Sequence, residues 1–393
     1  SMSNPNVVMR AVKAVKQNYT PTLDMLSLLE TFRCMVNDCI QIGLKKNVTS
    51  LKTLSLKAYS QLEKYGCMSY YKPCAISAAT GILRNYRKAK RKNANIKEPY
   101  VRKPRLTASY GFKIRDGVLS LPLRKHESIS IPLNQHTCVV LSEPNVSARS
   151  VTLTARNCSI AYSKEAAAIE PHGLIGIDRN LNNITTTDSN GHVEQLDLSE
   201  ATRIKAQCRE TKRHMKRNDV RVRSQVFGKY GRIQRNRVQQ ILHHASKIIV
   251  QQAKRNQHGI VMEKLTGIRK LYRKGNWQGK KYRATMNGWS FAELQRQIEY
   301  KAKWEGIRVI YVPPGGTSSR CSICGSRMAR VPEENRMLRC SSCGYVVDRD
   351  INAARNILAR GLRFSPVASP EKAMVQEPMN QQVILKVDGG EPN

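Results

Sequence analysis

The sequence predicts a multidomain α/β protein, and three observations carry that prediction. From His172 onward, three strand-like runs come in succession and then alternate with helical runs, the order of an α/β layer. Upstream, a helical segment and a Pro-punctuated segment of short alternating runs read as separate modules. Near the C-terminus, two CxxC knuckles with fifteen residues between them interrupt the α/β order just before its last helix.

Residues 6–17 mix Val and Ala with Lys and Arg and read as a basic strand. From Pro21 to about Lys92 the pattern is helical. Leu26, Leu29, Phe32, Val36, Cys39 and Ile40 recur at steps of three and four, followed by stripes from Leu51 to Leu62 and from Ile76 to Tyr86. This module ends in the basic run Arg87 to Lys92. Over 99–165, Pro99, Pro104, Pro122, Pro132 and Pro144 separate stretches such as ASYGFKI, VLSLPL, CVVLSE and VTLTA, an antiparallel β unit expected to close as a small barrel. LIGIDRN, NITTTDSNG and HVEQLDL are the next three strands, with Asn190-Gly191 as a hairpin turn. Ser199 is the expected cap of a long basic helix that reaches about Phe227, breaks at Gly228 and Gly231, and resumes at Ile233. GIVMEKL at 259–265 is a short apolar strand, Ser290 opens a helix to about Lys303, and IRVIYVPP is the next strand. The last helix begins near Asp350. From Phe364 a tail rich in Pro, Gln, Glu and Gly is expected to be disordered.

Composition narrows the function. The chain of 393 residues carries 67 Lys and Arg against 29 Asp and Glu, a formal charge of +38. That charge repels itself unless a polyanion neutralises it, so nucleic acid leads the possible partners and a membrane surface comes second. No apolar run has the length of a membrane span and no signal-peptide core opens the chain, which points away from the membrane. Ser1 before Met2 reads as an addition and is left out of the reading. Cys34, Cys39, Cys67, Cys74, Cys138, Cys158 and Cys208 are scattered without the rhythm of a disulfide framework. A reducing, cytoplasmic setting is expected.

The remaining four cysteines, Cys321, Cys324, Cys340 and Cys343, have the spacing of a tetrahedral thiolate site for one structural Zn²⁺. A redox CxxC would be single and would sit beside a βαβ unit. The α/β order fits the RNase H-like fold, in which acids far apart in sequence converge at strand ends and a final helix. Here Asp178 ends LIGI, Glu263 ends GIVM and Asp350 opens the last helix. Clustered carboxylates repel one another unless a divalent cation neutralises them, and Mg²⁺ prefers such oxygen ligands. Two Mg²⁺ ions are expected, with Asp178 bridging both and Glu263 and Asp350 each completing one. Asp348 competes with Asp350 for the last role, but its place suits the helix N-cap.

At these residues the sequence resembles the TnpB family, transposon-encoded relatives of type V CRISPR effectors. The motifs are GIDRN at 176–180, VMEKL at 261–265, VPPGGTSSRCSICG at 312–325 and CSSCGYVVDRDINAARNIL at 340–358. They span residues 172–361, and the N-terminal half is similar only in layout. The resemblance implies a first wedge strand over 1–18, a helical recognition module over 19–98 and a wedge β-barrel over 99–170. A RuvC-like nuclease domain follows over 171–316, then an inserted zinc ribbon over 317–346, a final nuclease helix over 347–363 and a disordered tail over 364–393. It implies a prokaryotic, nucleoid-associated, Mg²⁺-dependent endonuclease guided by an RNA from the transposon end, acting on double-stranded DNA beside a short flanking motif, as a monomer or dimer. Asp178, Glu263 and Asp350 correspond to the family's catalytic acids. Arg179-Asn180 departs from the family, many of whose members have a small or apolar residue followed by Gly.

Two other functions fit the same features. A repressor or RNA chaperone that kept the fold and lost cleavage should lack a metal ligand, and all three acids are present. A transposase could use the same two-metal site for strand transfer, although the resemblance places mobilisation in a separate enzyme. The basic stretch 266–288 is either a solvated loop or a lid. As a lid, Arg269, Arg273, Lys280 and Lys281 would meet phosphates and Trp277 or Tyr282 would stack on a base; Arg320, beside the first knuckle, is a further candidate contact.

Overall fold

The structure, a computed structural model, describes residues 8–215, 218–265, 275, 277–287, 289, 291–364 and 382–386. The chain divides into two compact units, Arg10–Glu165 and Ser1–Met9 with Ala166–Asn393.

The first unit contains most of β1 (Val8–Asn18), then α1 (Leu23–Lys45), α2 (Leu51–Ala58) with a 3₁₀ extension to Tyr65, and α3 (Tyr71–Lys90). Thr22 accepts the Met25 amide at 3.3 Å and Ser50 the Thr53 amide at 3.2 Å, so both hydroxyls cap orphan donors. The expected stripe is buried from Leu29 on: Leu29, Phe32, Val36, Cys39 and Ile40 are all 3% exposed or less, whereas Leu26, in the first turn, is exposed. Gly43 lets α1 approach α3, because a Cβ there would stand 2.2 Å from Leu83. Six strands follow: β2 (Leu106–Ala108), β3 (Lys113–Arg115), β4 (Val118–Arg124), β5 (Glu127–Pro132), β6 (Val146–Leu153) and β7 (Asn157–Ala167). Their ladders form one sheet ordered β1-β7-β6-β2 and another ordered β3-β4-β5. The turn from β3 to β4 is Asp116-Gly117, with φ of 50° and 72°, the positive pair that suits the twist of a hairpin. CVVLSE is not the strand its apolar run suggests. Asn134 accepts the Thr137 amide at 2.8 Å and starts α4 (Gln135–Leu141), so a cap decides what periodicity left open.

The second unit is built on one six-stranded sheet. Its strands are β8 (Gly173–Arg179), β9 (Asn183–Asp188), β10 (Val193–Asp197), β11 (His258–Glu263), β12 (Val309–Val312) and β16 (Gln382–Lys386), in the order β12-β11-β8-β9-β10-β16. The meander β8-β9-β10 is antiparallel, while β11 joins β8 and β12 joins β11 in parallel. One face packs on α5 (Ser199–Arg213), α6 (Phe227–Asn256) and α8 (Phe291–Trp304) through Ile175, Ile177, Ile260 and Met262. The other face carries α9 (Arg349–Phe364) through Leu174, Val261 and Val312 against Ile357 and Leu358. A short α7 spans Lys280–Asn287, and a three-stranded sheet of β13 (Met328–Val331), β14 (Glu334–Cys340) and β15 (Val346–Asp348) precedes α9. Among the described residues no helix is long and apolar enough to cross a membrane.

Three expectations change here. Ser199 lies inside α5 as its first residue, Leu198 holds the N-cap position without a side-chain cap, and the Ser199 amide is accepted by Asp197 Oδ1 at 2.8 Å. Helix α6 runs through Gly228 and Gly231, and the chain leaves the helical state earlier, at His214 and Met215 and again at Asn218 and Asp219. Asp219 accepts the amides of Arg221 and Val222 at 2.8 and 3.2 Å and restarts the chain as helix. Glycine costs a helix only about 1 kcal/mol, less than the 30 residues of α6 gain by packing. In the expected tail, Gln382–Lys386 pairs in parallel with β10, giving an otherwise open sheet edge a partner. Residues 365–381 and 387–393 lie outside the described residues.

One contact sets the geometry of this unit. A Cβ on Gly176 would stand 2.6 Å from the Ala354 carbonyl oxygen and 2.7 Å from the Leu358 amide, so α9 lies directly on β8 at that residue. Gly176→Val should therefore push the backbone of α9 away and cost about 1–3 kcal/mol. Gly228→Ala, where an added Cβ meets nothing within 4 Å, should stabilise α6 by about 0.5–1 kcal/mol. Urea unfolding of both variants checks the pair.

Candidate active site and metal centre

Strand alternation puts the acids on one face. On β8, Ile175 and Ile177 point to the α6 and α8 layer, so Leu174, Gly176 and Asp178 point to α9. On β11, Val261 shares the α9 face, and Glu263 follows it two residues on. On α9, Asp350 stands one turn before Ala354 and two before Leu358, the residues lying over Gly176. Asp178 and Asp350 thus extend a strand and a helix that touch four residues further along the helix.

Their electrostatics agree with that placement. Burial pushes the Asp178 carboxyl up to about 7, the charges of Asp350 and Glu263 push in the same direction, and the Asn180 hydrogen bond and Arg349 oppose them. Asn180 Nδ2 donates to Asp178 Oδ2 at 2.7 Å, and Asn183 Nδ2 donates to Asp350 Oδ2 at 3.3 Å. Thr317 Oγ1 donates to Glu263 Oε1 at 2.7 Å. Asp350, 2% exposed, is ion-paired with Arg336 of β14 and with Arg349 at 3.4 Å. Asp348 takes the capping role: its Oδ1 accepts the amides of Asp350 and Ile351 at 2.8 and 3.3 Å, and its Oδ2 pairs with Arg336 at 3.2 Å. Arg179 points to the opposite face and is 7% exposed. It donates to the Glu263 carbonyl oxygen at 2.6 Å and to Gln295 Oε1 at 3.0 Å.

The four cysteines form a tighter group. Among the described residues they alone bring three or more candidate metal-ligating atoms within 4.8 Å of one another, so the acids are spaced more widely. Cys321 and Cys343 sulfurs are 3.7 Å apart and those of Cys324 and Cys340 are 3.4 Å apart. A tetrahedron of Zn–S bonds of ~2.3 Å has edges of about 3.8 Å, so the thiols fit such an ion. The two knuckles repeat one design. Gly325 donates to Cys321 O at 2.9 Å and Gly344 to Cys340 O at 3.0 Å, each glycine at φ 76°. Hydrogen bonds from the Ser326 side chain and amide, with help from Cys340, lower the Cys324 thiol, while its neighbours Cys340, Cys324 and Cys321 push the Cys343 thiol up, as expected of thiols crowded together.

Helix α9 ties both centres together. Asn352 Nδ2 donates to Arg320 O at 2.7 Å while its Oδ1 accepts the Ser322 amide at 3.0 Å. Asn356 Nδ2 reaches Thr317 O at 2.6 Å, and Arg360 donates to Pro313 O and Gly315 O at 2.8 and 2.7 Å. Residues 352, 356 and 360 lie one turn apart and grip the loop between β12 and the first knuckle. Asn180, Asn183, Thr317, Arg336, Asn352 and Asn356 had no assigned role in the sequence reading. Asn352 and Asn356 stand four apart inside DRDINAARN, a signal that could have been used; Arg336 gives none.

Of the candidate nucleic-acid contacts, Trp277 is fully exposed with φ 56°, and Lys280, Lys281 and Tyr282 are exposed at the start of α7. Arg320 is exposed and donates to Gly325 O at 3.4 Å, within the knuckle. Arg269 and Arg273 lie outside the described residues.

Residues 291–357 match the family model described as Cas12f1-like, TNB domain. A TnpB-like protein of Methanocaldococcus jannaschii is 33% identical over 211 residues, covering 52% of this chain and 74% of that protein. The chain belongs to the TnpB family. A putative RNA-guided DNA endonuclease of Streptomyces pristinaespiralis is 28% identical over 278 residues, 67% of this chain and 65% of that one. The cryo-EM structure of a Cas12f1–sgRNA–target DNA complex superposes with a TM-score of 0.50 at 15% identity, covering 86% of this TnpB-family chain and 83% of that one, a likeness of fold.

Cys340→Ser should lower bound metal below one equivalent, measured by elemental analysis, and loosen the segment before Asp350, measured by hydrogen exchange. Full metal content in this variant would contradict the thiolate site. Asp178 gives a pH prediction. Its acidity is weakened in the fold, so the stability due to its neutral form is complete below about pH 4 and is lost as pH rises towards 7. With divalent cations left out, Asp178→Asn should gain stability relative to wild type across that window, read by urea unfolding.

Proposed function

We propose that this TnpB-family chain is an RNA-guided DNA endonuclease that hydrolyses a phosphodiester at Asp178, Glu263 and Asp350. The observation that carries the reading is the convergence of three acids, from two strand ends and the start of α9, on one face of the sheet. Burial, with the charges of Asp350 and Glu263 pushing the same way, holds the Asp178 carboxyl up at about 7, so the site favours a cation that would neutralise it. Oxygen donors suit Mg²⁺, and carboxylates shared between two ions need not lie within one ion's ligand sphere, in keeping with a spacing wider than that of the thiols. Two bound Mg²⁺ would supply water activation and stabilise the leaving oxygen. The chain's own side chains prepare the acids. Asn180 orients Asp178, Thr317 orients Glu263, and Asn183 orients Asp350.

In this reading the sheet with its helices is a RuvC-like nuclease domain, and residues 317–346 are an inserted ribbon closed by one Zn²⁺ on Cys321, Cys324, Cys340 and Cys343. The Arg10–Glu165 unit supplies the helical recognition module and the wedge β-barrel. Its two β-sheets and four α-helices support that assignment. Trp277, Lys280, Lys281 and Tyr282 are contacts for the nucleic acid strand. The charge of +38 gives sequence-independent affinity, and base pairing with a bound RNA supplies the long-range specificity that such contacts lack.

Asp178→Ala, Glu263→Ala and Asp350→Ala should each reduce cleavage by several orders of magnitude while leaving RNA and DNA binding nearly intact, measured by cleavage and filter-binding assays on the same preparations. Asp348→Ala should instead cost about 0.5–2 kcal/mol of stability through the lost cap. Replacing the guide segment of the copurifying RNA should redirect cleavage to the matching DNA. Cleavage that ignores the RNA sequence would favour a transposase or a nonspecific nuclease.

A further inference from the structure

Arg179 is the residue of the site that physical cost explains least. Burying a guanidinium is unfavourable unless its donors are paired, and an apolar side chain of similar volume would fill the same space at less cost. Yet Arg179 is 7% exposed, on the face of β8 opposite the acids, beside the apolar layer of α6 and α8. Its two named bonds show what the charge is held for. The parallel ladder between β8 and β11 runs from Gly173 opposite His258 to Ile177 opposite Met262 and ends there, one residue before Glu263. Where the backbone pairing ends, Arg179 Nη2 donates to the Glu263 carbonyl oxygen at 2.6 Å. Nη1 donates to Gln295 Oε1 of α8 at 3.0 Å, Gln295 Nε2 reaches Glu299 Oε1 at 3.4 Å, and Tyr311 of β12 donates to Glu299. The guanidinium thus joins the carboxyl ends of β8 and β11 to α8, and through Glu299 to β12.

We infer that Arg179 is a positioning residue for Glu263: a side-chain extension of the β8–β11 ladder that fixes the backbone from which the Glu263 carboxylate reaches its cation. Thr317 fixes the carboxylate itself at 2.7 Å, and Arg179 fixes the backbone that carries it, so the two constraints act on different parts of one residue. The inference rests on the reading of Glu263 as a divalent-cation ligand. Groups that orient ligands in this way typically change metal affinity by 10–100-fold when removed.

The test uses the full chain and Mn²⁺ as the probe, with free Mn²⁺ followed by electron paramagnetic resonance. Binding that disappears in Asp178→Ala defines the site. Arg179→Met keeps the side chain's length and apolar bulk and removes every donor. It should weaken site binding by about 10–100-fold, and raising Mn²⁺ should restore guided cleavage. Arg179→Lys, with one donor group in place of the fork, should fall between it and wild type. Gln295→Leu removes only the anchor of the guanidinium on α8 and should weaken binding in the same direction by less. Wild-type affinity in Arg179→Met overturns the inference. If that variant does not fold, wild-type affinity in folded Gln295→Leu overturns it instead. Absence of any Mn²⁺ binding that depends on Asp178 in the wild type would remove the cation site and the inference with it.

Discussion

The second unit depends on a place where a helix and a strand touch without a side chain between them. Gly176 leaves room for the Ala354 carbonyl, and Gly361 leaves room in the same way for Val261, where a Cβ would stand 2.4 Å away. With α9 pinned to both β8 and β11, its first turn has one place to go, and Asp350 meets the ends of the two strands that carry Asp178 and Glu263. A larger side chain at either glycine would lift the helix and separate the acids without altering any of them. The arrangement of the acids therefore rests on packing as much as on the carboxylates themselves.

The same helix explains why the four-cysteine segment stands directly before it. Residues 317–347 bury few apolar side chains: the cluster there is Cys321, Met328, Leu338, Cys340 and Val347. Four thiolates on one ion would replace the missing core. Asn352 and Asn356 then transmit that order to the loop holding Thr317, and Thr317 to Glu263. From the other side, Arg336 of β14 contacts Asp348 and Asp350. Exposed ion pairs elsewhere, such as Arg203 with Glu200, contribute little by comparison, because water screens them. Charge matters most where burial removes that screening, around Asp178, Asp350 and Arg179.

Much of this was legible in the sequence because the informative residues sit where regular elements end. An acid closing a run such as LIGI or GIVM is visible from alternation alone, and the knuckle spacing is local. What periodicity cannot carry was lost. CVVLSE is apolar enough for a strand or a short helix, and the Asn134 cap decides between them. Gly228 and Gly231 read as breakers, but an amphipathic helix of 30 residues absorbs two glycines when its apolar face is buried. Gln382–Lys386 lies in a polar, Pro-rich setting that suggests disorder, and only its pairing with β10 makes it a strand. Arg179 was legible as an unusual residue but not as a brace, since its partners at 263 and 295 are set by the fold.

The most direct measurement is anomalous diffraction from crystals grown with Mn²⁺, with data collected at the manganese and zinc edges. The account predicts manganese peaks contacting Asp178, Glu263 and Asp350, and a single zinc peak centred among Cys321, Cys324, Cys340 and Cys343. Manganese absent from the three acids, with that region otherwise folded as described, would contradict it.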